Sequence, residues 1–488
     1  MKEVKGVECK FAVHIPAELP TDKDLHIVKE RIHYTDGTSE PNIRIIENFK
    51  RTFYTTKKVH RKHVDKKEHE SLDRVDKHIT TQTEMRNNVL RALDRAWSND
   101  QMRDLSNSPF LYGSDISSTS IIKYMYKKKY PNIESFNTLA SLDIETDMVN
   151  NRDEIIMTSL TMFPYVYLYV REDFCCRIHD YENKVINKAN KLLEKYVNSH
   201  QLKFEVFIVK TEIECISAPI NQTHIWKPDF LEIWNIDFEL TRFEEAARRA
   251  NVDLKDIFSD PCIPKDRRFY TYKRGRDKQV TASGKVKPMN PSSKWHWAFY
   301  PASFAMIDGM CAYRHIRAGG QEESSYALDA LMKKHGLDGK LSLEETDKYD
   351  GEKWHIVMQT DFKVEYAVYC MLDTIGPLLL DEITKDLAST FTTYAGITDF
   401  CNFKSQPKRN VDDYHFFLLE NENSVVGSTP TRKFTDKRAE EIDQDEIAED
   451  DDDDDEEDVV VYKEAAVLSL KDWIDNCFNS PCVKKLTL

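Results

Sequence analysis

Two carboxylates, Asp143 and Glu145, stand two residues apart at the end of an apolar run that starts at Leu139. Side chains two apart on a strand point to the same face, so both acids would share one small volume. Like charges at such short range repel, and a divalent cation with oxygen ligands relieves the repulsion. A lone Asp-x-Glu pair also occurs at solvated strand ends, so the prediction of a metal site depends on further acids elsewhere in the chain.

A second acidic site follows the predicted strand that starts at Phe230. The sequence Asn235-Ile-Asp-Phe-Glu leads into a predicted helix, Leu240 to Asn251, and places Asp237 and Glu239 at a strand-to-helix junction. Open α/β sheets bind their ligands at such junctions. The structural alternative is an Asp that caps the helix and a Glu in its first turn, with no further role.

The third site lies on a helix predicted from Asp361 to Leu387, where Tyr369 and Asp373 are four residues apart and share one face. Alone, the pair is compatible with an ordinary Tyr–Asp hydrogen bond. With Asp143, Glu145 and one acid of the second site, it makes four carboxylates beside a phenol. Such a cluster can hold two Mg²⁺ or Mn²⁺ ions for phosphodiester hydrolysis, while the phenol orients the attacking water or helps to deprotonate it.

Short strands alternate with helices from Phe136 onward, which predicts an α/β sheet with helices packed against it. The strands are predicted at 139–145, twice within 155–170, and at 204–213, 230–235 and 303–310. Helices are predicted at 181–200, 240–251, 326–335 and 361–387. Before this part of the chain, Glu68 to Ser98 has helical periodicity, with Val89, Leu90, Leu93 and Trp97 on one face.

A basic and aromatic run lies between the second and third sites. It contains Arg267, Arg268, Tyr270, Tyr272 and Lys273. Cations interleaved with rings bind single strands by phosphate attraction and base stacking, so we expect these residues to contact nucleic acid. The alternative is a solvated surface with amphipathic tyrosines.

Composition describes a globular chain whose body carries no net charge. Of its 488 residues 40% are hydrophobic and 31% charged, and no apolar run reaches the length of a membrane span. The N-terminus lacks the apolar core of a signal peptide, so we expect an intracellular protein. The net charge of -15 comes from 15 acids within Glu440 to Asp458; the rest of the chain has 69 basic and 69 acidic residues. A neutral body with basic clusters can bind nucleic acid.

In this order and context, the three sites resemble the three motifs of the DEDD 3′–5′ exonucleases, in the subclass with a tyrosine in the third motif. More specifically, they are similar to the proofreading half of bacteriophage family B DNA polymerases. The similarity spans Tyr112 to Phe417 and includes Leu111-Tyr-Gly-Ser-Asp-Ile, Ser324-Ser-Tyr-Ala-Leu-Asp-Ala-Leu and Tyr414-His-Phe-Phe. It implies an RNase H-like exonuclease domain, a mixed sheet flanked by helices, with an α+β N-terminal domain.

The resemblance assigns roles to individual residues. It implies that Asp143, Glu145 and Asp373 bind two Mg²⁺ or Mn²⁺ ions, and that Tyr369 orients water. The asparagine of the second motif falls on Asn235, which together with Phe238 would lie beside the substrate. Where the family has an aspartate this chain has Glu239, so either Glu239 or the neighbouring Asp237 would complete the metal site.

The resemblance also implies a domain layout. It consists of an N-terminal domain at 1–135, the exonuclease domain at 136–400, a return segment at 401–438, an acidic disordered linker at 439–458 and a C-terminal docking segment at 459–488. The Ser-Leu-Tyr-Pro motif, the Lys-bearing finger helix and the Asp-Thr-Asp turn of a polymerase palm are missing from the sequence. We therefore expect no polymerase activity from this chain alone.

Two functions follow from the resemblance. The first is a proofreading exonuclease subunit of a split polymerase in phage DNA replication, in the host cell cytoplasm. It would act on single-stranded DNA or primer-template 3′ ends, with a separate palm subunit and other replication proteins as partners. The alternative is a catalytically weak DNA-binding scaffold that assembles with the palm subunit. The glutamate at position 239 favours the alternative, whereas the other motif residues favour the enzyme.

Overall fold

The structure, a computed structural model, describes residues 2–19, 21–96, 101–150, 153–280, 285–341, 343–346, 348–402 and 406–428. The predicted acidic linker, the predicted docking segment and Trp97 lie outside these residues. Contacts divide the chain into two units. The first is made of Met1–Asp277 and Met289–Phe434, and the second includes Lys278–Pro288. The boundary predicted at residue 135 therefore falls inside the first unit.

Strands dominate the first part of the chain. They are β1 (Val4–Ile15), β2 (Leu25–Tyr34), β3 (Ser39–Glu47), β4 (Arg51–Thr56), β5 (His69–Ser71), β6 (Val75–Thr80) and β7 (Leu111–Tyr112). Three helices accompany them: α1 (Met85–Ala92), α2 (Met102–Leu105) and α3 (Ser118–Lys129). The first three strands form one antiparallel sheet, and β6, β4 and β7 form a second.

The helix predicted from Glu68 to Ser98 is wrong over its first half. That part of the chain contains β5 and β6, and the helix α1 covers only Met85–Ala92. The β-branched residues Val75, Ile79 and Thr80 favour extended backbone, and β6 pairs along its length with β4. Local periodicity could not reveal this pairing, because its partner lies about 25 residues earlier.

The remaining strands include those of a central sheet. They are β8 (Leu139–Thr146), β9 (Ile155–Met162), β10 (Tyr165–Arg171), β11 (Lys203–Val209), β12 (Phe230–Ile233), β13 (Thr271–Lys273), β14 (Lys278–Val280), β15 (Val286–Pro288), β16 (Trp297–Phe299), β17 (Ala305–Asp308) and β18 (Ser424–Val426). The central sheet has the order β11-β10-β9-β8-β12-β17. Its strands β8, β12 and β17 are parallel, β9 is antiparallel to both neighbours, and β11 is parallel to β10. The sheet is therefore mixed.

Helices cover both faces of this sheet. They belong to the set α4 (Glu172–Cys175), α5 (Tyr181–Leu192), α6 (Glu194–His200), α7 (Glu212–Trp226), α8 (Ile236–Ala250), α9 (Leu254–Phe258), α10 (Gly309–Ile316), α11 (Leu328–Lys334), α12 (Gly351–Asp361), α13 (Lys363–Thr384), α14 (Phe391–Ala395) and α15 (Gln406–Asn421). One buried apolar cluster joins α5 and α13 to the sheet, and another joins α7, α8 and α9 to it. The predicted α/β class, a mixed sheet flanked by helices, is confirmed.

The alternation of β8 decides where its acids point. Ala140, Leu142 and Ile144 belong to the apolar cluster with α7 and α8. Asp143 and Glu145 therefore face the opposite side of the sheet, where α13 packs against β8 and β9. The fold thus brings the first and third predicted motifs face to face.

Three two-stranded antiparallel sheets complete the described part of the chain, and one of them is formed by β13 and β16. The strand β18 pairs antiparallel with β5, so the end of the first unit returns to the N-terminal strands. Within the second unit, β14 and β15 pair antiparallel. No helix in the described ranges combines the length and the apolar character needed to cross a bilayer.

Candidate functional site

The first pair of acids lies at the end of β8, and one of them is held by an α13 tyrosine. The Tyr366 hydroxyl donates a hydrogen bond to Oε2 of Glu145. That hydroxyl is also 2.9 Å from Nδ1 of His355 and accepts a bond of 3.1 Å from Nε2 of Gln359. His355 and Gln359 both contact the Tyr366 hydroxyl and fix its position. The Glu145 carboxylate therefore has a defined orientation on the face of β8 that it shares with Asp143.

The third motif presents its two side chains to a lysine that the sequence did not single out. Nζ of Lys340 donates to the hydroxyl of Tyr369 at 2.9 Å and to Oδ2 of Asp373 at 2.7 Å. Lys340 precedes α12, whereas both acceptors lie on α13. The indole of Trp354 packs 4.8 Å from the Tyr369 ring, which limits the directions from which water reaches the phenol.

The second motif contributes Glu239. This side chain lies in the first turn of α8 and is only 4% exposed. Its charge raises the pKa of Asp143, and the charge of Glu145 raises the pKa of Glu239, so the three acids are neighbours. The structure therefore brings Glu239 into the acidic cluster formed by Asp143, Glu145, Glu239 and Asp373.

Asp237, the alternative ligand, has other partners. Its carboxylate accepts a hydrogen bond of 2.8 Å from the Tyr272 hydroxyl and lies 3.3 Å from both Arg274 and Lys294. His296 is a further neighbour at 3.5 Å. Helical residues two apart do not face the same way, so one of the two acids at the start of α8 had to turn away from the cluster.

The acids of the cluster are short of positive charge. Burial, followed by repulsion from Asp373, Glu145 and Glu239, raises the pKa of Asp143 well above its ordinary value. Burial also raises the pKa of Glu145 to about 8 and raises the pKa of Glu239 and Asp373. Burial would lower the pKa of Lys340, but attraction to Asp373, Tyr369 and Asp143 raises it overall. One ammonium thus faces four carboxylates.

Two oxygens of the cluster suit a hard cation. Oδ1 of Asp373 and Oε2 of Glu239 are buried and have no hydrogen-bond partner within the described residues. An unpaired buried carboxylate oxygen is costly, and a cation that takes oxygen ligands removes the cost. Carboxylate oxygens are the ligands that Mg²⁺ and Mn²⁺ prefer. Of the four acids, the structure places Asp143 and Glu145 with ligand atoms within 4.8 Å of each other, beside Cys370.

Of the residues assigned to the substrate, two lie at the surface next to Glu239. Asn235 is the exposed residue that precedes α8, and the Phe238 side chain is 41% exposed. The Arg242 guanidinium lies 5.5 Å from the centre of the Phe238 ring. A nucleic-acid end that approached the acidic cluster along α8 would contact the exposed ring of Phe238 and the exposed residue Asn235.

The basic and aromatic run has mainly internal contacts. Arg267 donates to the backbone carbonyls of Pro16 and Lys23, and Arg268 donates to the carbonyl of Ile263. The Tyr270 ring stacks on Phe258 at 5.1 Å. For Arg267, Arg268 and Tyr270 the structure thus favours a structural role over the predicted substrate contact.

Two members of that run differ. Tyr272 bonds Asp237 and thereby ties β13 to the start of α8, and Lys273 is exposed on β13. The exposed Lys273 is therefore the member of this run for which the predicted nucleic-acid contact is compatible with the structure.

Sequence reasoning missed Lys340, Tyr366 and Cys370. Tyr366 and Cys370 could have been found, because Tyr366 is three residues before Tyr369 and four before Cys370, the spacings at which side chains on a helix are neighbours. The thiol of Cys370 lies near Asp143 and Glu145. Nothing around Lys340 signals its role, since it lies between two helices with no motif of its own.

No protein-family model matches this chain, and no curated protein has significant sequence similarity to it.

Proposed function

We propose that this chain is a metal-dependent 3′–5′ exonuclease that removes nucleotides from DNA 3′ ends. The observation that carries the proposal is that Asp143 and Glu145 lie with ligand atoms within 4.8 Å of each other, and that Lys340 bonds both Asp373 and the phenol of Tyr369. Asp373 and Glu239 are near enough to raise the pKa of Asp143. These residues come from three separate elements, β8, α8 and α13. A structural role does not require four acids to be buried together, because their mutual repulsion costs stability.

The cofactor in this proposal is Mg²⁺ or Mn²⁺, two ions held by Asp143, Glu145, Glu239 and Asp373. When bound, such ions supply positive charge that favours attack of water on a phosphodiester and departure of the leaving oxygen. The chain's own contribution is to fix the four carboxylates, with Tyr366 holding Glu145 in place.

Tyr369 serves as the group that orients the attacking water. Burial and the neighbouring Asp373 raise the pKa of its phenol, so the hydroxyl keeps its proton near neutral pH. It positions water by hydrogen bonding and does not act as a base. Lys340, at 2.9 Å, fixes the hydroxyl in turn.

The architecture agrees with the family resemblance. A mixed sheet with helices on both faces is the arrangement that the resemblance implies for an RNase H-like domain. On this basis we infer a proofreading subunit of a split family B polymerase in phage replication, with a separate palm subunit as partner. Its substrates would be single-stranded DNA and frayed primer 3′ ends.

One observation favours the second function, a DNA-binding scaffold of low activity. The ammonium of Lys340 is paired with Asp373 at 2.7 Å and neutralises part of the charge that a divalent cation would seek. The longer Glu239 in place of an aspartate adds to this argument. In this function the chain binds DNA and a palm subunit but does not cleave.

The two functions are separated by incubating the full chain with a 5′-labelled single-stranded DNA oligonucleotide in Mg²⁺, Mn²⁺ or EDTA. We expect a ladder of shortened products with either metal and none in EDTA. Asp143→Asn should slow product formation by about 100-fold or more, because it removes a ligand charge.

Asp94→Asn is the matched control, since Asp94 is an exposed acid that pairs with Lys58 and Arg61 and does not belong to the acidic cluster. It should cleave like the wild type. Intact oligonucleotide in both metals, with DNA binding retained, would favour the scaffold.

A further inference from the structure

Cys370 is the part of the site that a magnesium nuclease does not use. It follows Tyr369 on α13 and is wholly buried. Its Sγ and one carboxylate oxygen each of Asp143 and Glu145 lie within 4.8 Å of one another. Among the described residues, no other three ligand atoms of His, Cys, Asp or Glu lie so close together.

Sulfur changes the choice of metal. Mg²⁺ prefers oxygen ligands, whereas thiolates favour Zn²⁺ and similar thiophilic ions. Zinc binds sulfur at about 2.3 Å and carboxylate oxygen at about 2.0 to 2.2 Å, usually with four ligands in a tetrahedron. Atoms that share one such ion lie well within the spacing of this trio.

Independent observations place further ligands next to the trio. Glu239 and Asp373 are 4% and 6% exposed, and each has a buried carboxylate oxygen without a hydrogen-bond partner in the described part of the chain. Both acids lie close enough to Asp143 to repel its charge. Either could supply the fourth ligand of a tetrahedral site.

A buried cysteine is usually a small apolar residue of the core. Cys215 on α7 is such a case, since it is wholly buried within the apolar cluster on the other face of the sheet. Cys370 differs from Cys215 because two carboxylates are within 4.8 Å of its sulfur.

We propose that Asp143, Glu145 and Cys370 form a binding site for a thiophilic divalent cation of the Zn²⁺ class. Its ligands include two of the carboxylates assigned to Mg²⁺ above. Zn²⁺ therefore competes with Mg²⁺ and inhibits the nuclease at low concentration; this consequence rests on the proposed function, whereas the binding does not.

The binding is tested by titrating the metal-free full chain with Co²⁺ and recording the near-ultraviolet charge-transfer absorption of a cobalt–sulfur bond. We expect the band in the wild type, at one Co²⁺ per chain, and its loss on adding one equivalent of Zn²⁺. Cys370→Ser should lack the band and bind Zn²⁺ roughly tenfold or more weakly in competition with a chromophoric chelator. The matched control, Cys215→Ser, should behave like the wild type.

Wild-type protein without the band, or Cys370→Ser with the band intact, would overturn the proposal. If Cys370→Ser does not fold, X-ray absorption of the zinc-loaded wild type decides. One sulfur and two or three oxygen neighbours are expected, and zinc without a sulfur neighbour contradicts the site.

The inhibition has its own readout. In Mg²⁺, the Zn²⁺ concentration that halves the cleavage rate should be roughly tenfold lower for the wild type than for Cys370→Ser. Each rate is measured relative to the same protein without Zn²⁺. A chain with no nuclease activity but with the cobalt band would refute the proposed function and leave the metal site standing.

Discussion

At the scale of single residues, Lys340 stabilises the acidic cluster when no metal is bound. Its ammonium lies 2.7 Å from Asp373 and 2.9 Å from the Tyr369 hydroxyl, and its side chain is 32% exposed. Three buried carboxylates, Glu145, Glu239 and Asp373, beside the partly buried Asp143 would be very unfavourable without any cation, because each buried group loses its hydration. The lysine offsets part of this cost in the metal-free protein.

We therefore expect Lys340→Met to destabilise the metal-free protein by about 1 to 3 kcal/mol, because it leaves the Asp373 carboxylate buried without its cation. Mg²⁺ should raise the melting temperature of Lys340→Met more than that of the wild type. Thermal unfolding in EDTA and in Mg²⁺ measures both effects.

The control for this substitution is Lys195→Met, which removes a lysine whose side chain is 60% exposed and paired with Asp338 at 2.8 Å. Its effect on stability should be much smaller than that of Lys340→Met, because exposed ion pairs contribute little. Equal stabilities of Lys340→Met and the wild type in EDTA would contradict the role given to Lys340.

At the scale of elements, the start of α8 sorts its two acids. Glu239 is buried in the cluster, whereas Asp237 contacts Tyr272, Arg274 and Lys294 on the other side. The helix causes this difference, since side chains two residues apart on a helix point in different directions. Helix geometry thus favours Glu239 over Asp237 as the ligand that the second motif left open.

Glu239→Gln should accordingly lower the metal-dependent cleavage rate by roughly tenfold or more beyond any effect of Asp237→Asn. Glu239→Gln has this effect because it removes a ligand charge from the cluster. Asp237→Asn changes a residue that instead connects β13 to α8 through Tyr272. Cleavage rates at several Mg²⁺ concentrations measure the difference. A larger loss in Asp237→Asn would mean that Asp237 is the ligand.

Sequence patterns predicted the elements that carry the acids, because β8 alternates apolar and polar residues and α13 is a long segment rich in apolar residues. They could not predict Lys340, whose position depends on how the loop before α12 folds back onto α13. Nor could they show that Arg267 is occupied by the carbonyls of Pro16 and Lys23, about 250 residues away in sequence. The first half of the predicted helix at 68–98 was wrong for the same reason, since β6 pairs with a strand that is distant in sequence.

At the scale of the whole molecule, buried charges connect the N-terminal sheet to the central sheet. Lys29 and Arg31 on β2 both pair with Asp229, which immediately precedes β12 and is 1% exposed. Asp229 also accepts a hydrogen bond of 2.8 Å from the backbone N–H of Thr138, next to β8. The N-terminal sheet thereby fixes the beginning of the strand whose far end carries Asp143.

Asp229→Ala should destabilise the protein by about 3 to 5 kcal/mol, because it leaves two buried cations without their anion. Chemical denaturation monitored by tryptophan fluorescence measures the change. Asp94→Asn, which breaks an exposed ion pair with Lys58 and keeps a residue type that tolerates the positive φ at this position, should have a much smaller effect. Similar losses in the two variants would show that the buried pairs do not join the sheets.

The most direct test of the central claim is the release of a label from the 3′ end of a single-stranded DNA in Mg²⁺. The wild-type chain should release it at once as a mononucleotide, with Asp143→Asn about 100-fold or more slower. Release of a 5′ label first, or equal rates for the wild type and Asp143→Asn, would contradict a 3′–5′ exonuclease built on this cluster.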